Sequence, residues 1–195
     1  MRENTNIADY LLYIAYLNKK LAGFFENQSP YIFCKKGCSK CCENGEYPFS
    51  QAEFNFLMIG FSKLPPEKQK IITEKISQIK SQKQTEGFTY ECPFLINKEC
   101  SVYDFRGIIC RSFGLMSINP EGLSKIPFCA FEGLNYSNVV DNETKIISME
   151  KYKKLGENIP EPLAFNTGYK FLTSDEIAKN FHINFGEKKA LIDWF

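Results

Sequence analysis

Nine residues constrain this chain more than any others. The segment Cys34-Lys35-Lys36-Gly37-Cys38-Ser39-Lys40-Cys41-Cys42 holds four of the eight cysteines in a sequence of 195 residues. Random placement would rarely crowd half of a chain's cysteines so closely. Gaps of two and three residues let a turn fold back until several sulfurs face one ion or cluster. Gly37 suits the tight backbone such a turn needs. The remaining cysteines, Cys92, Cys100, Cys110 and Cys129, are more widely spaced. The candidate metal ligands are therefore Cys34, Cys38, Cys41, Cys42, Cys92, Cys100, Cys110 and Cys129. The single histidine, His182, lies far from them and reads as a packed or surface residue. A thiolate-only donor set selects zinc, iron–sulfur or Cu(I) over hard cations.

The alternative use of eight cysteines is a disulfide framework. The start, Met1-Arg2-Glu3-Asn4, is polar and leads into no signal-peptide pattern, so the expectation is a cytoplasmic chain with reduced thiols. With 44% hydrophobic residues, among them 18 Phe and 10 Tyr, the chain can bury a core without covalent staples. No apolar run approaches the roughly 20 residues of a membrane span. The 24 basic and 23 acidic side chains balance, which gives no nucleic-acid footprint. The expected partners are a metal ion or cluster and, beyond that, another protein.

Periodicity predicts a mainly α fold with short strands, its loops pinned by the cysteine site. Ile7, Leu11, Ile14, Leu17, Leu21 and Phe25 fall at helical spacing behind an Asn6 cap, and Ser29-Pro30 ends that helix. Glu46-Tyr47-Pro48-Phe49 reads as extended. Ser50-Gln51-Ala52-Glu53 matches a capping box, followed by Phe54, Leu57, Met58 and Phe61. A further helix runs from about Glu67 to Gln82, with Ile71, Ile72, Ile76 and Ile79 inward and Lys68, Lys70, Lys75 and Lys80 solvated. Cys92 to Cys129 reads as irregular. Asp104 is the expected cap of a helix there, Lys145-Ile146-Ile147-Ser148-Met149 a strand, Ile159-Pro160-Glu161-Pro162 a loop, and Thr173-Ser174-Asp175-Glu176 the start of a short helix. The expected organisation is one domain over 1–195, with a metal-binding core at 33–129 and a C-terminal appendage at 137–195.

Two features near the sulfurs bear on ligation. In an extended chain, Cys41 and Cys42 would point to opposite sides, which predicts that they serve different metals or that only one ligates. A four-thiolate zinc site carries about two negative charges. Lys35, Lys36 and Lys40 surround the first cluster, and Arg106 and Arg111 flank Cys110, as charge partners or donors to sulfur.

At this point the chain resembles a known family. Cys34-x3-Cys38-x2-Cys41-Cys42, then Glu53, then Cys92-Pro93-Phe94-Leu95, Cys100-Ser101-Val102-Tyr103 and Cys110-Arg111-Ser112-Phe113 look like the YkgJ, or CxxCxxCC, cysteine-cluster family. The resemblance spans about Phe33 to Cys129 and implies zinc or iron chelation. The family usually has Arg-Pro before the Cys-Arg element, where this chain has Arg106-Gly107.

Two functional readings follow. The first is a metal-binding protein, with the metal structural or held for a partner. The second is an iron–sulfur enzyme using S-adenosylmethionine, with a protein lysine methylase-like activity as the example that longer relatives suggest. Cys34-x3-Cys38-x2-Cys41 matches the radical S-adenosylmethionine spacing, but Lys40 stands where an aromatic is usual and the strand–helix repeats of that barrel are missing. No Gly-rich phosphate loop, metalloprotease motif or nucleophile elbow is present, and no catalytic residue is assigned.

Overall fold

The computed structural model describes residues 6–35, 37–83, 87–119 and 121–195. The polar start at 1–4 and Lys36 lie outside the described residues. Helix dominates, at 48% of the chain, and the three sheets are two-stranded and antiparallel.

The first helix, α1, spans Ile7–Asn27, and the Asn6 side chain accepts from the Ala8 N–H at 3.0 Å. The cap is the expected one, but the buried stripe is Tyr10, Tyr13, Ile14, Leu17 and Leu21. Ile7 and Leu11 remain exposed at 42% and 46%. Two tyrosines outcompete aliphatic residues for the inner face because each ring buries more area. Ser29–Tyr31 then forms a 3₁₀ turn that ends the run.

A short helix, α2 (Lys40–Glu43), carries Cys41 and Cys42. Strand β1 (Pro48–Ser50) leads directly into α3 (Gln51–Ser62) through a complete capping box. The stripe of α3 is shifted from expectation: Ala52, Glu53, Phe56, Leu57 and Gly60 are buried. Gly60 is required because a Cβ there would lie 2.5 Å from the Phe105 ring. Helix α4 (Pro66–Gln82) starts with proline at its first position and buries Ile72, Ile76 and Ile79, while Ile71 faces out. On its polar side Lys75 reaches Glu91 at 2.5 Å, and Lys83, just past its end, reaches Asp193 at 2.6 Å.

The segment expected to be irregular has short elements of its own. Strands β2 (Leu95–Ile96) and β3 (Glu99–Cys100) form a hairpin whose two turn residues, Asn97 and Lys98, both have positive φ. Tyr103–Phe105 is a 3₁₀ turn, followed by α5 (Ile108–Ser112), then β4 (Ser117–Ile118) and β5 (Ser124–Lys125). Asp104 caps no helix among the described residues: α5 begins four residues after it, behind Gly107. Phe128–Glu132 is another 3₁₀ turn.

In the C-terminal part, Lys145–Met149 is not a strand. Only Ile147 makes a bridge, to Val140, and Met149 opens α6 (Met149–Lys153) under a Ser148 cap. Lys145 itself sits at φ 60°, which extended structure does not accommodate. Helices α7 (Tyr169–Leu172) and α8 (Asp175–Asn180) follow, the latter starting within Thr173-Ser174-Asp175-Glu176 as expected, under a Ser174 cap. Strand β6 (Lys188–Ala190) pairs with β1, and Leu191 and Ile192 bury beneath α4.

Three apolar clusters result. One gathers α1, α3, Leu172 and Phe185. A second gathers α4, Tyr47, Phe49, Tyr90, Phe94 and Ile192, and Cys92, Cys100 and Cys110 pack against it. The third holds Tyr31, Met116, Tyr136 and Val139, beside the turn that carries Cys129. Each fully buried large side chain contributes roughly 1.5–3 kcal/mol over exposure. The sulfurs thus sit in the seam between the second and third clusters.

Candidate metal centre

Four separated segments bring the eight cysteines to this seam, and all eight are free thiols. Cys92 is fixed to the α2 segment because its N–H donates to the Cys42 carbonyl at 2.8 Å. Just beyond, Gly45 and Tyr90 exchange backbone hydrogen bonds at 3.1 Å each way. The β2–β3 hairpin places Cys100 opposite Leu95, and α5 supplies Cys110. Backbone N–H groups of Phe94 and Val102 donate to the Cys92 and Cys100 sulfurs. Such bonds favour the thiolate and fix the direction of each sulfur. This is the inner set, joined by Cys42, whose thiol lies near Tyr47 together with those of Cys92 and Cys110.

The outer set comprises Cys34, Cys38 and Cys129. Cys34 and Cys38 hydrogen-bond through their side chains, and Cys129 lies within electrostatic reach of each. Asn135 organises it. Its Oδ1 accepts from the Phe33 and Cys34 N–H groups at 2.9 and 2.7 Å, and its Nδ2 donates to the Gly114 carbonyl at 2.9 Å. Its own backbone N–H donates to the Cys129 sulfur. One buried amide therefore holds two cysteine segments together. Nothing in the sequence singled out Asn135, because its role exists only across a hundred residues of separation.

Cys41 stands between the sets, close enough for its thiol to affect those of Cys34, Cys100, Cys110 and Cys129. The extended-chain premise for Cys41 and Cys42 does not hold. The pair lies on helical α2, with sulfurs 3.8 Å apart. Sulfurs at about 2.3 Å from one tetrahedral ion are also separated by about 3.8 Å, so this spacing permits a shared ion.

The charges around the sulfurs differ from expectation. Lys40 is held by Glu43 at 3.3 Å and Glu132 at 3.4 Å, and Lys35 is exposed. Arg111 is buried at 7% exposure, yet all its hydrogen bonds go to oxygen: Asn18 Oδ1, the Arg106 carbonyl and the Asp104 carbonyl, at 2.9, 3.2 and 2.8 Å. Among the described residues it donates to no sulfur, and burial lowers its pKa. Arg106 stacks on Tyr103 at 3.6 Å, and its buried Nε has no partner among the described residues. Its positive charge eases ionisation of Cys41, Cys100 and Cys110.

Behind the inner set lies Glu53, fully buried. Its Oε1 accepts from the Ile108 N–H at 2.8 Å, and its Oε2 accepts from the Ser50 N–H, the Ser50 hydroxyl and the Tyr169 hydroxyl at 2.9, 2.8 and 2.6 Å. Burial raises its pKa against these four donors. Through Ile108 the carboxylate sets the start of α5, and hence Cys110.

The donor set fits a thiophilic metal. Burial pushes the Cys110 thiol up to about 12, and burial with the Cys38 hydrogen bond pushes Cys34 up to about 12. Cys92, Cys100 and Cys129 are raised by burial, and Cys41 first by its bond to Cys42. Thiols so placed stay protonated until a cation displaces the protons. Among the described residues no three Cys, His, Asp or Glu side chains already stand at ligand spacing, so closure on an ion requires thiol rotamers to turn inward. His182 is exposed and lies outside the site. No helix among the described residues is long and apolar enough to cross a membrane.

A helical scaffold with thiols from four segments converging on one seam is a cysteine-cluster metal-chelating domain. Residues 33–130 match the family CxxCxxCC, titled "Putative zinc- or iron-chelating domain", and the chain belongs to that family. Comparison with curated proteins and with solved structures gave no match.

Proposed function

We propose that this chain chelates zinc or iron through two adjacent thiolate sites, in a compartment that keeps thiols reduced. Cys42, Cys92, Cys100 and Cys110 serve the inner site; Cys34, Cys38 and Cys129 serve the outer one, with Cys41 at the junction. The observation that carries this reading is the company each sulfur keeps. Cys42, Cys92 and Cys110 share the surroundings of Tyr47; Cys34, Cys38 and Cys129 keep each other's company; and Cys41 is felt in both places. Each set then approaches the four thiolates that a closed zinc site or a cubane uses. When bound, the metal supplies the cross-link that ties the segments bearing Cys34 and Cys129 to the helical body, so its binding free energy adds to folding.

The test is anaerobic purification with analysis of zinc, iron and acid-labile sulfide, on the wild type and on Cys41→Ser and Cys42→Ser. About two zinc ions per chain, or iron and sulfide in matching amounts, supports chelation. Unequal loss in the two variants supports the division. Equal and complete loss in both refutes the division, and disulfides in place of metal refute the chelation.

The barrel form of the enzyme reading finds less support. The three sheets have two strands each and pair antiparallel, unlike the repeated strand–helix units of the S-adenosylmethionine barrel.

A further inference from the structure

Resting on the two-site reading, we infer that the sites are unequal: the outer one exchanges its metal with an incoming thiol, while the inner one retains its metal. The inner sulfurs sit on elements locked from both sides. Cys92, Cys100 and Cys110 pack against the cluster of Tyr47, Phe49, Tyr90 and Phe94. The Cys92 N–H is bonded to Cys42, and the β2–β3 hairpin and the Glu53-held start of α5 fix the other two.

The outer set is built differently. Cys34 is an exposed residue between the exposed Phe33 and Lys35, in backbone without helix or strand. Among the described residues its segment is tied down by the two bonds to Asn135, the Cys34–Cys38 thiol contact and one turn, from the Cys38 N–H to the Lys35 carbonyl at 2.9 Å. Cys129 is the buried anchor beneath it. Thiolate exchange is associative: an incoming sulfur must approach to bonding distance before the resident one leaves. Cys34, the exposed cysteine, can swing out and be replaced, whereas Cys92, Cys100 and Cys110 are partly buried and backed by the apolar cluster, so an incoming sulfur has less room to approach them.

In the exchange the incoming thiol gives up its proton as its sulfur binds, and the departing Cys34 thiolate takes one up. No electron is transferred. The chemistry that would recognise the outer site is therefore a soft thiolate donor, either a small thiol or a cysteine of another protein.

The experiment loads the full reduced chain with zinc and follows release to a chromogenic chelator, with and without glutathione. Two phases of about equal amplitude are expected, the second at least about tenfold slower. Glutathione should accelerate only the fast phase, and Cys34→Ser should abolish it while leaving the slow one. A parallel measurement needs no variant: brief alkylation of the zinc-loaded wild type, read by mass spectrometry, should modify Cys34 and Cys38 well before Cys92 and Cys110. Full loading with a single release phase, or uniform alkylation, overturns the inference alone. Failure to bind any metal overturns the chelation reading as well.

Discussion

Replacing Glu53 tests whether the centre is supported from behind by a buried carboxylate. Glu53→Ala removes every acceptor from two fully buried backbone donors, the N–H groups of Ser50 and Ile108. An unsatisfied buried donor costs about 1–3 kcal/mol, so the pair costs roughly 2–6 kcal/mol. The Ser50 and Tyr169 hydroxyls can rotate toward other acceptors and are left out of that figure. Set against a typical total stability of about 5–15 kcal/mol, the loss is severe. Glu53→Gln separates the two sides of the carboxylate. Its amide oxygen can take the Oε2 position and keep three donors, which turns the NH₂ toward the Ile108 N–H. The Ile108 N–H and the new NH₂ then face each other without an acceptor, at a cost of at least roughly 1–3 kcal/mol. Urea denaturation of chelator-treated, reduced protein measures both values, and amide exchange locates them. The Gln variant should lose protection at Ile108 while Ser50 keeps its own. A Glu53→Ala variant within about 0.5 kcal/mol of wild type would refute the reasoning, since that is the range of an inconsequential surface change.

Two further outcomes follow from particular distances and shifts. Gly107 has φ −63°, which proline would share, but a Cβ there would lie 2.5 Å from Phe49 Cζ. Gly107→Pro should therefore destabilise by about 1–3 kcal/mol through overpacking, and in a Phe49→Leu background, which lacks that ring atom, the penalty should shrink; strictly additive effects in the double-mutant cycle would sink the explanation. The Cys34 and Cys110 thiols, raised from 9.0 to about 12 in the fold, contribute stability that is fully present below pH 9.0 and lost as pH rises through about 12. Thermal melts of the reduced, metal-free protein should accordingly fall across that window, and a Tm that is flat from pH 9 to 12 would contradict it.

What the sequence determined by itself is local chemistry. Asn6 before Ile7, Ser50 three residues before Glu53 and Ser174 before Asp175 each satisfy nearby backbone groups, Pro66 at a helix start removes an N–H that would otherwise lack a partner, and each element starts where those residues require. The cysteine spacing and the resemblance it carries gave the ligand class and the family in the same way, since both are read within short stretches. The tertiary structure decided everything that depends on a distant neighbour. Tyr10 and Tyr13 turned α1 away from Ile7 and Leu11 because the rings of Phe56 and Phe185 were there to receive them. Phe49 took the space that a side chain at Gly107 would need beside Arg106. The helical turn at Cys41 and Cys42, and the joining of Cys34 to Cys129 by Asn135, depend on segments separated by tens to a hundred residues. Periodicity and propensity report only a residue's own turn or strand; which sulfurs meet is settled by packing between elements.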